Sequence, residues 1–359
     1  MEDSWAPYME WAKKRPVPRW DLAGSNLLGC TLEDLPGATA VLELNGLNPD
    51  GYPPLNEAIA HRYGVAVDNV ATGPGCSGAN FLAIAALVRP GDEVLVERPA
   101  YDPLLGVLRL LGASIARFDR TAEDGWAVDP DRVRAGLTGR TRLIVLSSPH
   151  NPSGILASRD ALLEIGRLAE SAGAHVLVDE VYLDAVWTDR PPPAATLGDA
   201  FLSTNSLTKA YGLSGLRIGW ILASPRVARA ARRVRDVVDG VGSFPSDRLG
   251  LLAFQLSDAL ASRARTILEP NLETLAAFMA GRPELRWVRP DGGNVAFPQL
   301  ANHSDTRDFC ERLLERHQTA VVPGAFFEAP GHFRIAFSCA AETLSSGLAA
   351  LGAALDESA

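Results

Sequence analysis

This sequence contains few cysteines and has no excess of positive charge. The 359-residue chain has four cysteines, Cys30, Cys76, Cys310 and Cys339, which lie far apart, form no CxxC pair and have no histidine at metal-ligand spacing. This pattern supports neither a disulfide framework nor a zinc site, and we expect no metal. Lys and Arg number 34 against 43 Asp and Glu, giving a formal net charge of -9. Because phosphate backbones are bound by clustered Lys and Arg, this balance argues against a nucleic-acid partner.

The sequence also lacks membrane and targeting signals. Its first 22 residues begin with acidic side chains and contain no apolar core, unlike a secretory signal or a transit peptide. Hydrophobic residues make up 47% and charged residues 21% of the chain, as is ordinary for soluble globular proteins. We therefore expect a cytoplasmic protein with no membrane partner.

Between about Asn69 and Ala223, short β-branched or apolar runs alternate with longer stretches of helical period. This alternation predicts an α/β fold: a mostly parallel, seven-stranded sheet sandwiched by helices. A loop rich in glycine joins the last two runs, so one strand there can be antiparallel. The strand candidates are NVAT, EVLVE, SIARF, RLIVLSS, HVLVDEV, FLSTNS and RIGWILA.

The sequence after Ala223 has a different, mixed character that predicts a second, smaller α+β domain. A long helical region with a break near GVGSFPSD leads to LRWVRP and NVAFPQL, which are separated by Asp291-Gly292-Gly293, a hairpin signal. The loop VVPGAFFEAPG, the strand HFRIAFS and a closing helix follow. We predict a large domain over residues 36–235 and a small domain formed by residues 1–35 and 236–359.

The stretch GPGCSG, Gly73 to Gly78, matches the GxGxxG pattern of a dinucleotide-binding loop. Glu97 follows about twenty residues later, at the end of EVLVE, where such folds bind a ribose. An NAD-dependent dehydrogenase is therefore one hypothesis. A lone glycine pattern is a weak signal, so other motifs must decide.

The strongest chemical signal is the segment SLTKAYGLSGLRIG, Ser206 to Gly219. Lys209 sits in a turn rich in hydroxyls and glycines, and a lysine amine of lowered pKa can attack an aldehyde to form a Schiff base. Ser206 and Arg217 offer a hydroxyl and a bidentate cation for a phosphate. Considered without its neighbours, Lys209 is most simply interpreted as a surface lysine in a polar loop. The combined pattern favours a nucleophilic Lys209 beside an anion-binding site formed by Ser206 and Arg217.

This segment resembles the lysine motif of the fold-type-I, pyridoxal-phosphate (PLP)-dependent aminotransferases of class I/II. Other motifs follow in that family's order, so the resemblance covers nearly the whole chain. It implies that Lys209 holds PLP through a Schiff base and that Ser206 and Arg217 bind its phosphate. In the same resemblance GPGCSG opens the first helix of the large domain, where the amides of Cys76 and Ser77 hold the phosphate.

Further motifs supply candidates for the PLP ring. SPHNPSG resembles the family's NPxNPTG turn, which implies that Asn151 hydrogen-bonds the phenolic oxygen of PLP, although Asn-Pro-Ser-Gly is also an ordinary turn. VDEVY ends a predicted strand at Asp179, and a buried carboxylate there requires a cationic partner such as a protonated pyridine nitrogen. By the same match Tyr182 contacts the phenolic oxygen. ERPAYDP places Tyr101 where the family has an aromatic residue stacked on the ring; a core tyrosine is the alternative.

The resemblance also implies substrate contacts. Arg334 in HFRIAFS matches the arginine that binds the substrate carboxylate as a planar bidentate pair. Gly24 in DLAGSN matches a loop glycine that lets the backbone approach that carboxylate. The sequence departs from the family pattern at one position. In the family, a tyrosine there reaches the PLP phosphate across the dimer interface, but this sequence has Gly46 at that position, and Tyr52 is out of register. The family's arginine for acidic side chains has no assignable counterpart.

The resemblance predicts an aminotransferase that moves an amino group between an L-amino acid and a 2-oxo acid and acts as a homodimer. Relatives of this fold also catalyse elimination, decarboxylation or cyclisation of amino acids, so a PLP-dependent lyase, decarboxylase or cyclase is the nearest alternative. Two alternatives are more remote. An NAD-dependent dehydrogenase would give Lys209 no role, and a PLP-binding transcription regulator would require a DNA-reading domain.

Overall fold

The computed structural model describes residues 5–357, and its strands confirm the predicted α/β class. Continuous apolar runs such as EVLVE form the central strands because these strands are buried on both faces. The strands are β1 (Trp20–Asp21), β2 (Val70–Pro74), β3 (Glu93–Arg98), β4 (Ser114–Asp119), β5 (Thr141–Ser147), β6 (His175–Asp179), β7 (Phe201–Ser206), β8 (Ile218–Leu222), β9 (Leu285–Arg286), β10 (Val295–Ala296), β11 (Gln299–Leu300), β12 (Thr319–Ala320), β13 (Val322–Pro323) and β14 (Phe333–Ala336).

The main sheet has seven strands in the order β2-β8-β7-β6-β5-β3-β4. β8 runs antiparallel to both of its neighbours, and the remaining pairs are parallel. The expected mostly parallel sheet and its one antiparallel strand are thus confirmed. Because β2 and β7 point the same way, their carboxyl ends share one sheet edge with those of β3, β5 and β6, and β8 begins at that edge.

Helices cover both faces of this sheet. The helices of the described chain, not all of which contact the sheet, are α1 (Pro7–Lys14), α2 (Ala38–Val41), α3 (Pro53–Tyr63), α4 (Gly75–Leu87), α5 (Asp102–Leu110), α6 (Pro130–Gly136), α7 (Arg159–Ala172), α8 (Pro225–Val238), α9 (Phe244–Gln255), α10 (Ser257–Ala280), α11 (Arg307–His317) and α12 (Ala341–Asp356). Side chains alternate along β3, so Val94 and Val96 pack with α4, α5 and α8, whereas Leu95 packs with α6 and α7. None of the described helices is long and apolar enough to cross a membrane.

The chain after α8 forms helices and short strands. β10 and β13 flank β14 in an antiparallel sheet, and β1 pairs in parallel with β12, which brings residues near Trp20 against this region. The helix break predicted near GVGSFPSD separates α8 from α9. The division into domains at residues 35 and 235 stays a prediction.

One local prediction for this region holds only in part, and another is wrong. The runs LRWVRP and NVAFPQL pair only through β9 and β11, and Asp291-Gly292-Gly293 belongs to a long loop instead of a tight hairpin turn. This loop is fixed by distant partners, since Asp291 bonds the backbone of Gly154 and Leu156. The predicted loop VVPGAFFEAPG contains β13, because its strand partner β14 lies further along the chain.

Candidate active site

The candidate site lies at the sheet edge where the parallel strands end. Asp179 ends β6, Ser206 ends β7 and Tyr101 follows β3. Arg217 precedes the antiparallel β8 and reaches the same edge from the opposite direction. Ligands of open α/β sheets bind at this edge, because the strand-to-helix loops gather there.

Lys209 presents a half-buried amine that donates hydrogen bonds to the amino-terminal segment. Its Nζ donates to Ser25 Oγ and to Asn26 Oδ1, both at 2.8 Å. Asn294 Nδ2 donates to the Lys209 carbonyl at 2.7 Å and fixes the backbone of the turn. Burial and then the positive charge of Arg334 lower the pKa of Lys209 to about 7. A large neutral fraction is therefore present near pH 7, as a nucleophilic amine requires.

Asp179 is a buried carboxylate held by neutral donors. Asn80 Nδ2 donates to its Oδ2 at 2.8 Å, and the Val181 amide and the Cys76 thiol donate to its Oδ1 at 3.1 and 3.4 Å. Thr204 Oγ1 orients Asn80 by donating to Asn80 Oδ1 at 2.6 Å. Burial raises the pKa of Asp179, while these donors oppose the rise. Among residues 5–357, no Lys or Arg forms an ion pair with this carboxylate.

The turn before α4 provides an anion site. Gly75 has φ +71°, and a Cβ there would overlap the Arg217 guanidinium. Arg217 NH2 donates to the Pro74 carbonyl at 3.2 Å, so this cation lies beside the first turn of α4, which contains Cys76 and Ser77. A helix amino terminus with an adjacent arginine suits a phosphate.

Arg334 is fully buried on β14 without an acidic partner in the described part of the chain. Its NH1 donates to Asn151 Oδ1 at 3.0 Å, and its NH2 donates to Tyr8 Oη at 2.8 Å and to the Ala23 carbonyl at 3.0 Å. The guanidinium carbon lies 5.3 Å from the centre of the Tyr8 ring and 5.1 Å from that of Phe327. Its Nε is buried and makes no hydrogen bond with the residues that the structure describes. A buried cation without a counter-charge is costly, so this site favours an anionic ligand.

The two tyrosines of the site differ in their contacts. Tyr182 Oη is buried, and although Ser25 is near enough to affect its pKa, the two groups do not form a hydrogen bond of normal geometry. Burial raises the pKa of Tyr182 to about 12. Tyr101 Oη donates to Met9 Sδ at 3.4 Å, and its ring meets that of Tyr8 edge-on. Burial raises the pKa of Tyr101 well above its usual value, so both phenols are neutral donors.

These groups fit PLP. The orphaned Tyr182 hydroxyl matches its phenolic oxygen, the Asp179 carboxylate matches its protonated ring nitrogen, and the Gly75 turn matches its phosphate. Gly219 is required for the same turn, because a Cβ there would overlap the Gly75 carbonyl. Asn151 and Arg334 lie in hydrogen-bonding contact with each other.

Several expected contacts have a different arrangement. The Gly24 amide donates to Asp21 Oδ1 at 3.2 Å, and the backbone contact to Arg334 comes from Ala23. The role of Gly24 toward the substrate stays a prediction. A side chain at Gly46 would overlap the Phe244 ring, so the family's tyrosine has no room there. Tyr52 Oη instead accepts a hydrogen bond from Arg248 NH1 at 2.8 Å.

Glu97 does not support the dinucleotide hypothesis. Its side chain is fully buried in an ion pair with Arg120, where a ribose cannot reach it. The role predicted for it by the glycine pattern is therefore wrong.

Sequence reasoning missed several residues that line the site: Tyr8, Ser25, Asn26, Asn80, Thr204 and Asn294. Asn80 has a local signal, because it follows Cys76 by four residues on α4 and therefore shares its helix face. The others come from segments whose contact with Lys209, Asn80 or Arg334 depends on the tertiary fold.

Comparison with known proteins gives the same assignment. The family model for aminotransferase class I and II matches residues 39–351, and the chain belongs to this family. It is a PLP-dependent enzyme of fold type I.

Both aminotransferases and cyclases are among the similar proteins. Capreomycidine synthase from Streptomyces vinaceus is 36% identical over 361 aligned residues, covering 96% of this chain and 92% of that protein. A PLP-dependent aminotransferase from Streptococcus suis has a TM-score of 0.93 and 30% identity, with 99% of each chain covered. The PLP-dependent cyclase OrfR has a TM-score of 0.89 and 28% identity, covering 100% of this chain and 98% of that one.

Proposed function

We propose that this enzyme transfers the amino group of an L-amino acid to a 2-oxo acid. The observation that carries the proposal is the half-buried Lys209 amine, whose pKa is lowered to about 7 in the field of Arg334, a buried cation without an acidic partner among residues 5–357. Lys209 would hold PLP, Asp179 would pair with its ring nitrogen, and Asn151 and Tyr182 would contact its phenolic oxygen. Cys76, Ser77, Ser206 and Arg217 would bind its phosphate, with Tyr101 against the ring.

When bound, PLP supplies an aldehyde for amine exchange and a protonated ring that withdraws electrons from the substrate α-carbon. Arg334 binds the substrate carboxylate and thereby fixes which face of the α-carbon meets Lys209. With PLP bound, the neutral Lys209 amine would accept the substrate α-proton and, once protonated, would be the group that gives a proton back during amino transfer. Asp179 is kept oriented by neutral donors and would stabilise the positive charge on the ring nitrogen.

The visible spectrum of the purified protein tests the assignment of Lys209. We expect the wild type to bind PLP and to form an adduct that borohydride makes permanent, while Lys209→Ala forms no such adduct. A wild type that binds no PLP, or a variant with the same reducible adduct, would contradict the proposal. Wild-type enzyme with a panel of L-amino acids should then generate a new amino acid from added pyruvate or 2-oxoglutarate.

Cyclisation of an amino-acid side chain is the second candidate reaction. It is favoured by the 36% identity to a capreomycidine synthase over nearly the whole chain and by the likeness to the cyclase OrfR. Abstraction of the α-proton by Lys209 serves this reaction equally well. A product assay separates the two: cyclisation or elimination proceeds without a 2-oxo acid, whereas transamination stops after one turnover unless an acceptor is added.

A further inference from the structure

A fully buried ion pair lies behind the candidate site and has no part in the proposed chemistry. Glu97 at the end of β3 and Arg120 after β4 both have 0% side-chain exposure, and Arg120 NH1 donates to Glu97 Oε2 at 2.9 Å. Such a pair is a weak source of stability, because removing two charges from water offsets most of their attraction. His150 packs beside it, but burial lowers the pKa of His150 well below its usual value, so this ring is neutral.

A continuous chain of hydrogen bonds connects this pair to the substrate arginine. Glu97 Oε1 accepts from the Ser147 amide at 2.7 Å and from Ser147 Oγ at 2.6 Å. Ser147 Oγ in turn accepts from the Asn151 amide at 3.0 Å. Asn151 Oδ1 accepts from Arg334 NH1 at 3.0 Å. The carboxylate of Glu97 is therefore three contacts away from the guanidinium that would bind substrate.

Arg120 fixes the same turn from its other side. Its Nε donates to the Trp126 carbonyl at 2.7 Å, and its NH1 and NH2 donate to the carbonyls of Ser147 and Ile155 at 3.2 and 3.5 Å. Ser147 and Ile155 bracket the segment that contains Asn151. Trp126 has φ +60°, a strained conformation for a bulky side chain, and the bond from Arg120 helps to hold it.

We propose that Glu97 and Arg120 are positioning residues that hold Asn151, and through it Arg334, in the geometry that receives the substrate carboxylate. This inference rests on the proposed function, since it assigns Arg334 to the substrate. A planar guanidinium binds a carboxylate well only when its plane is fixed, and Asn151 is the side-chain amide that contacts it. The pair therefore acts on substrate affinity more than on the chemical step.

Ser147→Ala and Glu97→Gln test the proposal. Ser147→Ala removes one link and keeps the ion pair, so we expect a folded enzyme. For both variants we expect the KM for the amino acid to rise at least fivefold, with kcat within about threefold of wild type and PLP retention unchanged. The matched control is Glu93→Gln, because Glu93 is 7% exposed on the same strand and accepts from the hydroxyls of Thr138 and Thr141, away from Asn151. It should leave KM unchanged.

The double variant Glu97→Leu/Arg120→Leu separates positioning from stability. It removes both charges, so we expect a thermal midpoint closer to wild type than that of Glu97→Gln, while KM stays raised. A double variant with wild-type KM, or a folded Ser147→Ala enzyme with KM within twofold of wild type, would overturn the proposal. Substrate binding measured from the cofactor absorbance gives a readout independent of turnover. A wild type that binds PLP but no amino acid would instead point to failure of the proposed function.

Discussion

At the scale of single residues, the site contains two buried charges of opposite sign that have no ionic partner in the described part of the chain. Asp179 is held by an amide, a thiol and a backbone N–H, and Arg334 by an amide, a phenol and a carbonyl. Neutral hydrogen bonds compensate a buried charge only in part. Both residues therefore favour ligands that carry the missing charges, a cationic ring nitrogen for Asp179 and a carboxylate for Arg334.

The first prediction concerns the pH dependence of Lys209. Its pKa is lowered to about 7, so the neutral, nucleophilic amine is fully present above pH 8 and is lost as the pH falls through 7. We expect the rate at which cofactor-free protein captures PLP to rise with pH, with a midpoint near 7 instead of near the ordinary lysine pKa of about 10.4. Stopped-flow absorbance across pH 5.5 to 9 measures this.

Arg334→Gln is the informative variant for that midpoint. The charge of Arg334 is the largest cause of the lowered pKa after burial, so its loss should move the midpoint upward. Arg286→Gln, at an exposed site, should leave the midpoint unchanged. An unchanged midpoint in Arg334→Gln would show that this charge does not act on Lys209.

At the scale of secondary-structure elements, the candidate phosphate site depends on how closely β8 approaches the turn between β2 and α4. Gly219 on β8 pairs with Gly73 and touches the Gly75 carbonyl, and Arg217 adopts φ +53° as it leads into the strand. A side chain at position 219 would push the strand and the turn apart. The close contact brings Arg217 to the first turn of α4.

The second prediction tests this contact. Gly219→Ala should destabilise the protein by about 1–3 kcal/mol, as overpacking typically does, and should weaken PLP binding. Gly215→Ala is the matched control, because a Cβ at Gly215 meets no atom within 4 Å and its φ is not positive. Urea unfolding and PLP titration provide the two measurements. Equal stability of both variants would contradict the argument.

Sequence patterns predicted the elements whose signal is local. The strands of the main sheet coincide with short β-branched or apolar runs, which are continuous in β3, β5 and β6. The motifs around Lys209, Asp179 and Asn151 are short, so their residue spacing is visible in the sequence. The two-residue strands β10 and β13 carry no such signal, because their pairing is decided by β14. Tyr8 was missed for the same physical reason: its contact with Arg334 joins residues 326 positions apart.

At the scale of the whole molecule, the chain has an exposed apolar surface. We define it by Leu42, Leu44, Leu47, Val237 and Val241, which are 49%, 76%, 86%, 87% and 51% exposed. The two segments are adjacent, since Asn48 Nδ2 donates to the Gly242 carbonyl at 3.0 Å. Exposed apolar clusters of this kind mark association surfaces. We propose that a second copy of the chain covers it in a homodimer.

The third prediction is that charge on this surface prevents dimer formation. Leu44→Glu/Leu47→Glu should shift the protein from dimer to monomer in light scattering at micromolar concentration, because a buried unpaired carboxylate opposes association. Leu110→Glu, at a leucine that is 55% exposed at the end of α5, should remain dimeric. A monomeric wild type, or a double variant that stays dimeric, would count against this surface as the interface.

In the proposed roles, the charge of Arg334 would also make the basicity of Lys209 depend on bound substrate. Arg334 lowers the proton affinity of Lys209, and an anion paired with Arg334 would cancel part of that field. By thermodynamic reciprocity, a proton on Lys209 then strengthens anion binding by the same factor. A carboxylate bound at Arg334 would therefore raise the basicity of Lys209 when a proton must be removed, and its departure would return the amine to its nucleophilic, neutral state.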